Sequence, residues 1–453
     1  MDKRTTGHGR VSVPTERGQM VMLSAGSIIG AGIFVGAGNV LSLAGPSLLI
    51  TVLLIGTVAV IVNFFLIEMS LFAPESLQFH QYVGQALHPM AGIAVGWAYV
   101  MGMLVGPASE LVAASMLLQQ WLGWGELVWI CILVAVLAIL LSLIPHAPLL
   151  KWGSLAAFLK IFLLLGFSLL GLASILGVFS GALPRIGTEN YHDFFPHGIR
   201  GTLAAGMGVT MIYGGTESIG LFSEEDRGSA VHVPSVTYNI AFRMVFLYCF
   251  SAIVLVGVLP WQRAEESVSP FLLALALLGL DGPVTHIVTI VILLSITTLA
   301  VEDLFLVERL LFLLTDNSRL SQGLSQAPKA RNLPSGVRVA TRLMLLAVLL
   351  AALAGDAPYL RLFYLSGFGF WFIWVMLTLA FPRYCRLAQR TYPDHIPRWH
   401  VPHPKLLQGV VLTILSLSAL CFAMTPLGRD TILFSGGCLA CACALYTVTR
   451  QRR

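Results

Sequence analysis

Apolar segments of about twenty residues recur along almost the whole chain, and this repetition restricts the possible folds more than any other feature. A helix needs about 20 residues to cross a hydrocarbon core of about 30 Å. The chain is 57% hydrophobic and only 11% charged, whereas roughly a quarter of the residues in soluble domains are charged. The pattern therefore predicts an all-α membrane protein folded as one helical bundle.

Twelve transmembrane helices are predicted, and the Lys and Arg residues indicate their orientation. Cytoplasmic loops carry an excess of these residues. With the N-terminus inside, 21 of the 27 Lys and Arg residues fall on the cytoplasmic side, five fall outside and Lys160 lies within a span. A multi-pass protein with both termini in the cytoplasm is therefore expected. The predicted spans are 19–43, 47–73, 91–120, 126–145, 152–179, 198–222, 237–260, 284–314, 337–354, 358–381, 406–425 and 431–449.

Two of the predicted spans contain too many glycines for ordinary helices. Segment 24–38 has five glycines and segment 206–220 has five, and each glycine in a helix interior costs about 1 kcal/mol relative to alanine. Interrupted spans at corresponding places in two halves indicate an inverted repeat with a binding site between the two interruptions. The alternative is that these glycines only allow close helix packing.

This symmetry predicts a five-plus-five inverted repeat with two additional helices. The expected divisions are a cytoplasmic N-terminal tail at 1–18, a first repeat at 19–179, a second repeat at 198–381, two further helices at 406–449 and a cytoplasmic tail at 450–453.

Several motifs, taken in order, resemble those of one transporter family. The chain is similar to the amino acid transporter branch of the amino acid–polyamine–organocation superfamily, which includes bacterial amino acid permeases. The resemblance implies a leucine-transporter-type fold and proton-coupled uptake of an amino acid across the bacterial cytoplasmic (inner) membrane. The motifs are Ser-Ile-Ile-Gly-Ala-Gly-Ile-Phe-Val-Gly at 27–36, Ala-Gly-Pro at 44–46, Glu-Met at 68–69, Gly-Trp at 96–97, Glu-Leu-Val-Ala-Ala at 110–114, Tyr-Gly-Gly-Thr-Glu-Ser-Ile-Gly at 213–220 with Glu224, and Leu-Ser-Gly-Phe at 365–368 with Trp374.

The two interruptions suit an amino acid zwitterion. Free N–H groups at a helix start favour a carboxylate, and free carbonyls at a helix end favour an ammonium group. The substrate carboxylate is expected to contact the backbone of the first interruption, and the second is expected to form the opposing wall. The residues assigned to substrate binding are Ser27, Ile28, Gly30, Ala31 and Gly32 in the first segment, Tyr213, Gly214 and Thr216 in the second, and Phe368 in the tenth span.

Five ionisable residues are candidates for proton coupling: Lys160, Glu110, Glu217, Glu302 and Asp303. A charge at the bilayer centre costs at least ~2.5 kcal/mol, so Lys160 should face the interior and have a partner. The resemblance implies that this lysine occupies the position that sodium takes in sodium-coupled relatives. Glu302 or Asp303 is the expected partner, unless the eighth span ends early and leaves both near water. Glu110 and Glu217 are the better candidates for carrying the proton, and the sequence leaves the choice open.

The resulting expectation is a proton-coupled amino acid importer that works by alternating access. Tyr213, Phe368 and Trp371 favour a neutral or aromatic substrate. An amino acid exchanger and a non-transporting membrane sensor are the alternatives. Since no catalytic set, metal-ligand spacing or phosphate-binding loop occurs in a shared context, enzymatic activity, cofactors, metals and nucleic-acid partners are not expected. The expected partners are the amino acid, the proton and the lipid bilayer, with the protein as a monomer or weak homo-oligomer.

Overall fold

The computed structural model describes residues 29–72, 79–143, 146–178, 193–218, 233–315, 335–393 and 399–451, and every regular element within these ranges is a helix. The α-helices of these ranges are α1 (Ala37–Ala44), α2 (Leu48–Phe72), α3 (Phe79–Ala86), α4 (Pro89–Leu122), α5 (Leu127–Leu141), α6 (His146–Ile175), α7 (Gly198–Tyr213), α8 (Val233–Val258), α9 (Pro270–Leu277), α10 (Pro283–Thr315), α11 (Ser335–Leu353), α12 (Pro358–Thr391), α13 (Pro404–Ala423) and α14 (Pro426–Gln451).

The helices agree with the predicted class of protein. Each of the twelve predicted spans overlaps one of these helices, and eight helical stretches of the described residues are long and apolar enough to cross a membrane. Helix α5 is strongly apolar but has only 15 residues. The prediction of an all-α membrane protein is confirmed, while the number of crossings and the inverted repeat stay predictions.

Helix α4 is the central helix of the bundle. In its most apolar 18-residue window 89% of the residues are buried, the highest share among the candidate spans of the described residues. It packs along α10 and α12. Its first turn is capped by His88, whose ring accepts a hydrogen bond from the Met90 N–H at 3.2 Å. Because it touches several helices at once, α4 brings its interior residues against most of the candidate site.

The outer helices present large apolar side chains on their free faces. Such a surface is unfavourable in water, where monomeric proteins rarely expose large contiguous apolar patches. Contact with the hydrocarbon of a bilayer makes the same surface favourable, as expected for a membrane-spanning bundle. The side chains include Leu133, Leu137 and Leu140 on α5, Phe158, Phe162 and Leu169 on α6, Phe242 and Phe246 on α8, and Ile287 and Ile290 on α10.

A buried ion pair joins α10 to α11. Glu308 Oε1 lies 3.3 Å from Arg342 Nη1, with side-chain exposures of 2% and 15%. Arg342 also donates from Nη2 to the Ser142 hydroxyl at 3.0 Å, just beyond the end of α5. The other oxygen of Glu308 and Nε of Arg342 have no hydrogen-bond partner in the described part of the chain. The pair therefore fixes where three segments meet, although its polar atoms are incompletely satisfied.

Glu68 connects the end of α2 to the segment before α13. Its Oε2 accepts a hydrogen bond from the Val401 N–H at 2.8 Å, and its Oε1 lies 2.9 Å from His400 Nδ1. Glu68 is buried, whereas the side chain of His400 is half exposed. Both carboxylate oxygens are therefore used to hold a connection near the end of the bundle.

Candidate functional site

The first interruption lies where the described residues begin. Ile29 and Gly30 are not helical, and a π-helical turn, Gly32–Gly36, then leads into α1. π-Helical turns are rare and occur frequently at functional sites. All the residues from 29 to 36 are buried. The predicted contacts Ser27 and Ile28 lie outside the described residues.

Glu110 of α4 binds the backbone of this first interruption. Its Oε1 and Oε2 lie 3.0 and 2.8 Å from the Ala31 nitrogen, and both accept from that single N–H. Glu110 is 3% exposed. Gly30 makes this approach possible, because a Cβ there would overlap Glu110 Oε1 and Leu299 Cδ2. The amide predicted to meet the substrate carboxylate therefore meets an internal carboxylate in this structure.

The second interruption begins where α7 ends at Tyr213. Gly214 is extended, with φ −56° and ψ 145°, and Gly215 has a φ of +92°, which favours glycine. A 3₁₀ turn, Thr216–Ser218, follows. The backbone is thus non-helical at Gly214 and Gly215, next to the predicted wall residue Thr216.

Glu217 stabilises this second interruption from both sides. Its Oε1 accepts from the Gly215 N–H at 3.2 Å, and its Oε2 accepts from the indole N–H of Trp374 on α12, also at 3.2 Å. Glu217 and Trp374 are both buried. One carboxylate therefore satisfies a free amide of the interrupted backbone and attaches it to α12.

The aromatic ring that covers the second interruption belongs to Phe370. A Cβ at Gly214 would lie 2.6 Å from Phe370 Cε2 and 2.8 Å from Cγ. The predicted residue Phe368 instead packs against Trp371, with ring centroids 5.4 Å apart. Trp371 donates its indole N–H to the Leu415 carbonyl of α13 at 3.0 Å. Phe370 therefore lies over Gly214, whereas Phe368 contacts Trp371, which binds α13; a role of Phe368 in substrate binding stays a prediction.

Tyr213 points toward α2 and α8. A Cβ at Gly56 of α2 would lie 2.7 Å from the Tyr213 hydroxyl, and the Tyr213 ring is 5.1 Å from that of Tyr248 on α8. Tyr213 lines a small apolar cavity that also touches both interrupted segments. The other residues that line this cavity are Ile33, Ala37, Leu48, Val52, Val209, Ile212, Tyr248, Ala252, Leu255 and Phe271.

Lys160 of α6 is buried and interacts electrostatically with three carboxylates, first with Glu302 and then with Glu110 and Asp303. Asp303 also faces α4, since a Cβ at Gly106 would lie 3.8 Å from its Oδ2. Helix α10 continues to Thr315, so Glu302 and Asp303 do not follow an early helix end. The structure thus groups Lys160 with three of the four carboxylates predicted to act with it.

Two buried hydroxyl groups near these charges have no hydrogen-bond partner within the described residues: those of Tyr99 and Thr216. Tyr99 is fully buried on α4 and interacts electrostatically with Glu217 and Asp303. Thr216 is 1% exposed in the second interruption. Buried polar groups are nearly always hydrogen-bonded, so these two hydroxyls offer polar contacts that the protein itself leaves unused.

A hydrogen-bond network around Asn39 joins α1 to two other segments. Glu265 accepts from Asn39 Nδ2 at 2.9 Å and from the Ser42 hydroxyl at 2.7 Å, while the Tyr364 hydroxyl donates to Asn39 Oδ1 at 2.6 Å. Glu265 lies between α8 and α9, and Tyr364 lies on α12. The segment after α8 and the start of α12 are therefore both attached to α1.

Two further hydroxyls bind carbonyls of the first interruption. Ser269 donates to the Phe34 carbonyl at 2.7 Å, and Tyr359 of α12 donates to the Ala31 carbonyl at 3.2 Å. All four residues are buried. Ala31 is thus bound on its N–H by α4 and on its carbonyl by α12.

Sequence reasoning missed Tyr99 and Phe370, and it identified Ser366 and Trp374 only as motif residues without assigning them to the site. Ser366, Phe370 and Trp374 recur every four residues and so share one face of α12, and Ser366 donates to the Gly102 carbonyl of α4 at 3.0 Å. This spacing, combined with the glycines of α4, is a signal that could have identified the face. Nothing local to the sequence distinguishes Tyr99.

Comparison with known proteins gives a consistent result. The family model described as amino acid permease matches residues 19–427. The gamma-aminobutyric acid permease of Bacillus subtilis is 26% identical over 447 residues, which cover 96% of this chain and 92% of the relative. The aromatic amino acid transport protein AroP of Corynebacterium glutamicum is 26% identical over 376 residues, 80% of this chain and 79% of the relative. A probable amino-acid permease of Schizosaccharomyces pombe is 27% identical over 440 residues, covering 90% and 74%.

The fold and the site together define a multi-pass helical membrane protein with a charged interior site between interrupted helices. The chain belongs to the amino acid permease family, within the amino acid–polyamine–organocation superfamily, as the sequence motifs predicted. It is accordingly a transporter of amino acids and not an enzyme.

Proposed function

We propose that this permease imports a neutral or aromatic amino acid together with protons by alternating access, with a leucine-transporter-type fold of twelve helices. The observation that carries the proposal is that buried carboxylates, Glu110 and Glu217, bind the two interrupted segments, and that Lys160 interacts with Glu110, Glu302 and Asp303. Intramembrane ionisable residues are costly and commonly form ion paths or proton relays.

The substrate is expected to lie between the two interruptions. Its ammonium group would meet the Thr216 hydroxyl, which has no hydrogen-bond partner among the described residues, and its side chain would extend toward the apolar cavity lined by Tyr213, Ile33 and Ile212. An apolar cavity excludes a charged side chain because burying an unpaired charge is costly. This cavity, with Phe370 over Gly214, supports a neutral or aromatic substrate.

Proton coupling is assigned to the carboxylates around Lys160. Three carboxylates, Glu110, Glu302 and Asp303, interact with this lysine, so they cannot all be charged and paired with it. Protonation of one carboxylate would remove a charge that lacks a partner, and the remaining groups could then rearrange at a lower electrostatic cost. The protein is proposed to act in the bacterial inner membrane, with both termini cytoplasmic, as a monomer or weak homo-oligomer.

Uptake into proteoliposomes tests the proposal. Radiolabelled L-phenylalanine, L-alanine and γ-aminobutyrate are offered with and without an acidic exterior. We expect at least one of them to accumulate only with the proton gradient, and Lys160→Met to abolish this accumulation. Helix α6 contains one other lysine, so Lys151→Met is the matched control and should keep it.

Three results would overturn this assignment in whole or in part. Labelled substrate that enters only in exchange for unlabelled internal substrate, independent of the gradient, would make the protein an exchanger. Binding without any transfer across the membrane would make it a sensor. A transport rate equally reduced in both lysine variants would remove Lys160 from the coupling mechanism.

A further inference from the structure

We propose that the Glu110 carboxylate is an internal competitor of the substrate carboxylate for the Ala31 amide, so that a substrate binds the first interruption only when Glu110 leaves it. This inference rests on the proposed function, because it requires a ligand with a carboxylate group. It adds a specific exchange: one carboxylate replaces another on the same N–H.

The hydrogen bonds show that the amide is fully occupied. Ala31 has one N–H, and both oxygens of Glu110 lie within 3.0 Å of its nitrogen. The first N–H groups of a helical segment have no intrahelical partner and are natural anion sites. Ala31 is the first helical residue before the π-helical turn. Glu110 therefore takes the position that is chemically best suited to a bound carboxylate.

Packing around Gly30 makes this occupation exclusive. The space beside Gly30 is filled by Glu110 Oε1 and Leu299 Cδ2, so that even a methyl group there would overlap both. A substrate carboxylate is larger than a methyl group and carries the same charge as Glu110. The two carboxylates cannot bind Ala31 side by side, and one must displace the other.

Among the described residues, four ionisable groups on the surrounding helices interact with Glu110, and they determine where its carboxylate can go. They are Lys160 of α6, Asp303 of α10, Tyr248 of α8 and Tyr359 of α12. Lys160 is the cation of this set. A displaced Glu110 must therefore approach Lys160 or accept a proton, since Asp303 repels it. Displacement thus links substrate binding to the charge state of the interior.

Thermal stabilisation of the purified protein tests the competition. The probe is an equimolar mixture of the twenty proteinogenic amino acids and γ-aminobutyrate, titrated at pH 6 and pH 8, because a ligand of the folded state raises Tm by mass action. The variants are Glu110→Gln, which removes the charge, and Glu110→Asp, which keeps the charge but shortens its reach. Glu68→Gln is the control, since Glu68 is another buried carboxylate that binds a backbone N–H.

At pH 8 we expect both Glu110 variants to bind the mixture more tightly than the wild-type protein does. The gain should be about tenfold to a hundredfold, the factor that corresponds to a hydrogen bond to a charged group. Glu110→Gln should also lose the difference between pH 6 and pH 8, whereas Glu68→Gln should match the wild-type protein at both pH values.

Unchanged or weaker binding in whichever Glu110 variant folds would overturn the competition. If the wild-type protein and Glu68→Gln bind the mixture normally, the proposed function survives that result. If the mixture stabilises none of these proteins, the proposed function fails and this inference fails with it.

Discussion

The glycine pair of the second interruption allows a prediction about stability. The effect of Gly214→Ala on the free energy of unfolding should depend on which residue stands at position 370. Gly214 has φ −56° and ψ 145°, a conformation that alanine adopts freely, while Gly215 has a φ of +92°. At Gly214 the obstacle to a side chain is the Phe370 ring, three atoms of which would lie within 2.8 Å of a new Cβ. Gly214→Ala should therefore destabilise the protein through overpacking. Gly215→Ala should destabilise it through backbone strain.

The expected free energies follow from these two causes. Phe370 is 5% exposed, so Gly214→Ala should lower the free energy of unfolding by about 1–3 kcal/mol through overpacking. In a Phe370→Leu background the overlap is relieved. Gly214→Ala should then be neutral or stabilising by up to about 1 kcal/mol, because alanine restricts the unfolded chain. Gly215→Ala should cost about 1–2 kcal/mol in both backgrounds.

Unfolding in mixed detergent and denaturant, measured for the two single alanine variants in each background, gives these differences directly. Gly409→Ala on α13 is the matched control, since no atom lies within 4 Å of its new Cβ, and it should stabilise the protein slightly. If Gly214→Ala is equally destabilising with leucine at position 370, the ring is not the obstacle. The assignment of Phe370 to the second interruption would then be wrong.

Two further predictions concern charges outside the site. Breaking the buried ion pair with Glu308→Leu alone should cost about 3 kcal/mol of unfolding free energy, because it leaves Arg342 buried without its partner. Adding Arg342→Met should recover most of this loss. A double variant as unstable as Glu308→Leu would refute the prediction. Burial lowers the pKa of His80, in the short helix α3, to about 4. In this pH range the unfolded protein therefore binds more protons at His80 than the folded protein does. The Tm of the wild-type protein should then fall more steeply than that of His80→Gln from pH 6.5 to 4.5. Parallel curves of Tm against pH would contradict this prediction.

The sequence alone was sufficient for the features that depend on local composition. Apolar length predicted the helical membrane bundle, because each span must satisfy its own backbone in hydrocarbon. The glycines of segments 24–38 and 206–220 predicted irregular backbone, which the structure shows at Gly30, Gly214 and Gly215. Ordered motifs predicted the family.

The features that were missed depend on how the helices rotate about their axes. Tyr213 and Phe370 are both aromatic residues beside glycines, and only packing decides that Phe370 covers Gly214 while the Tyr213 hydroxyl lies near Gly56. The bond from Ala31 to Glu110 spans 79 residues of sequence. No local pattern shows that a carboxylate of the third predicted span reaches the first.

The contacts that hold α1 in place have an energetic consequence. The polar contacts of α1 are the bonds of Asn39 and Ser42 with Glu265 and Tyr364, while the Ser269 and Tyr359 hydroxyls bind carbonyls of the turn that precedes it. Each can be exchanged for a bond to water at a net cost of about 0.5–1.5 kcal/mol, or somewhat more for the carboxylate. Breaking these hydrogen bonds therefore requires a few kcal/mol in total, an amount comparable to the differential affinity of a ligand for two conformations, and the apolar packing of Val40 and Leu41 adds to it. A bound ligand with that preference would offset the hydrogen bonds that join α1 to α12 and to the segment after α8.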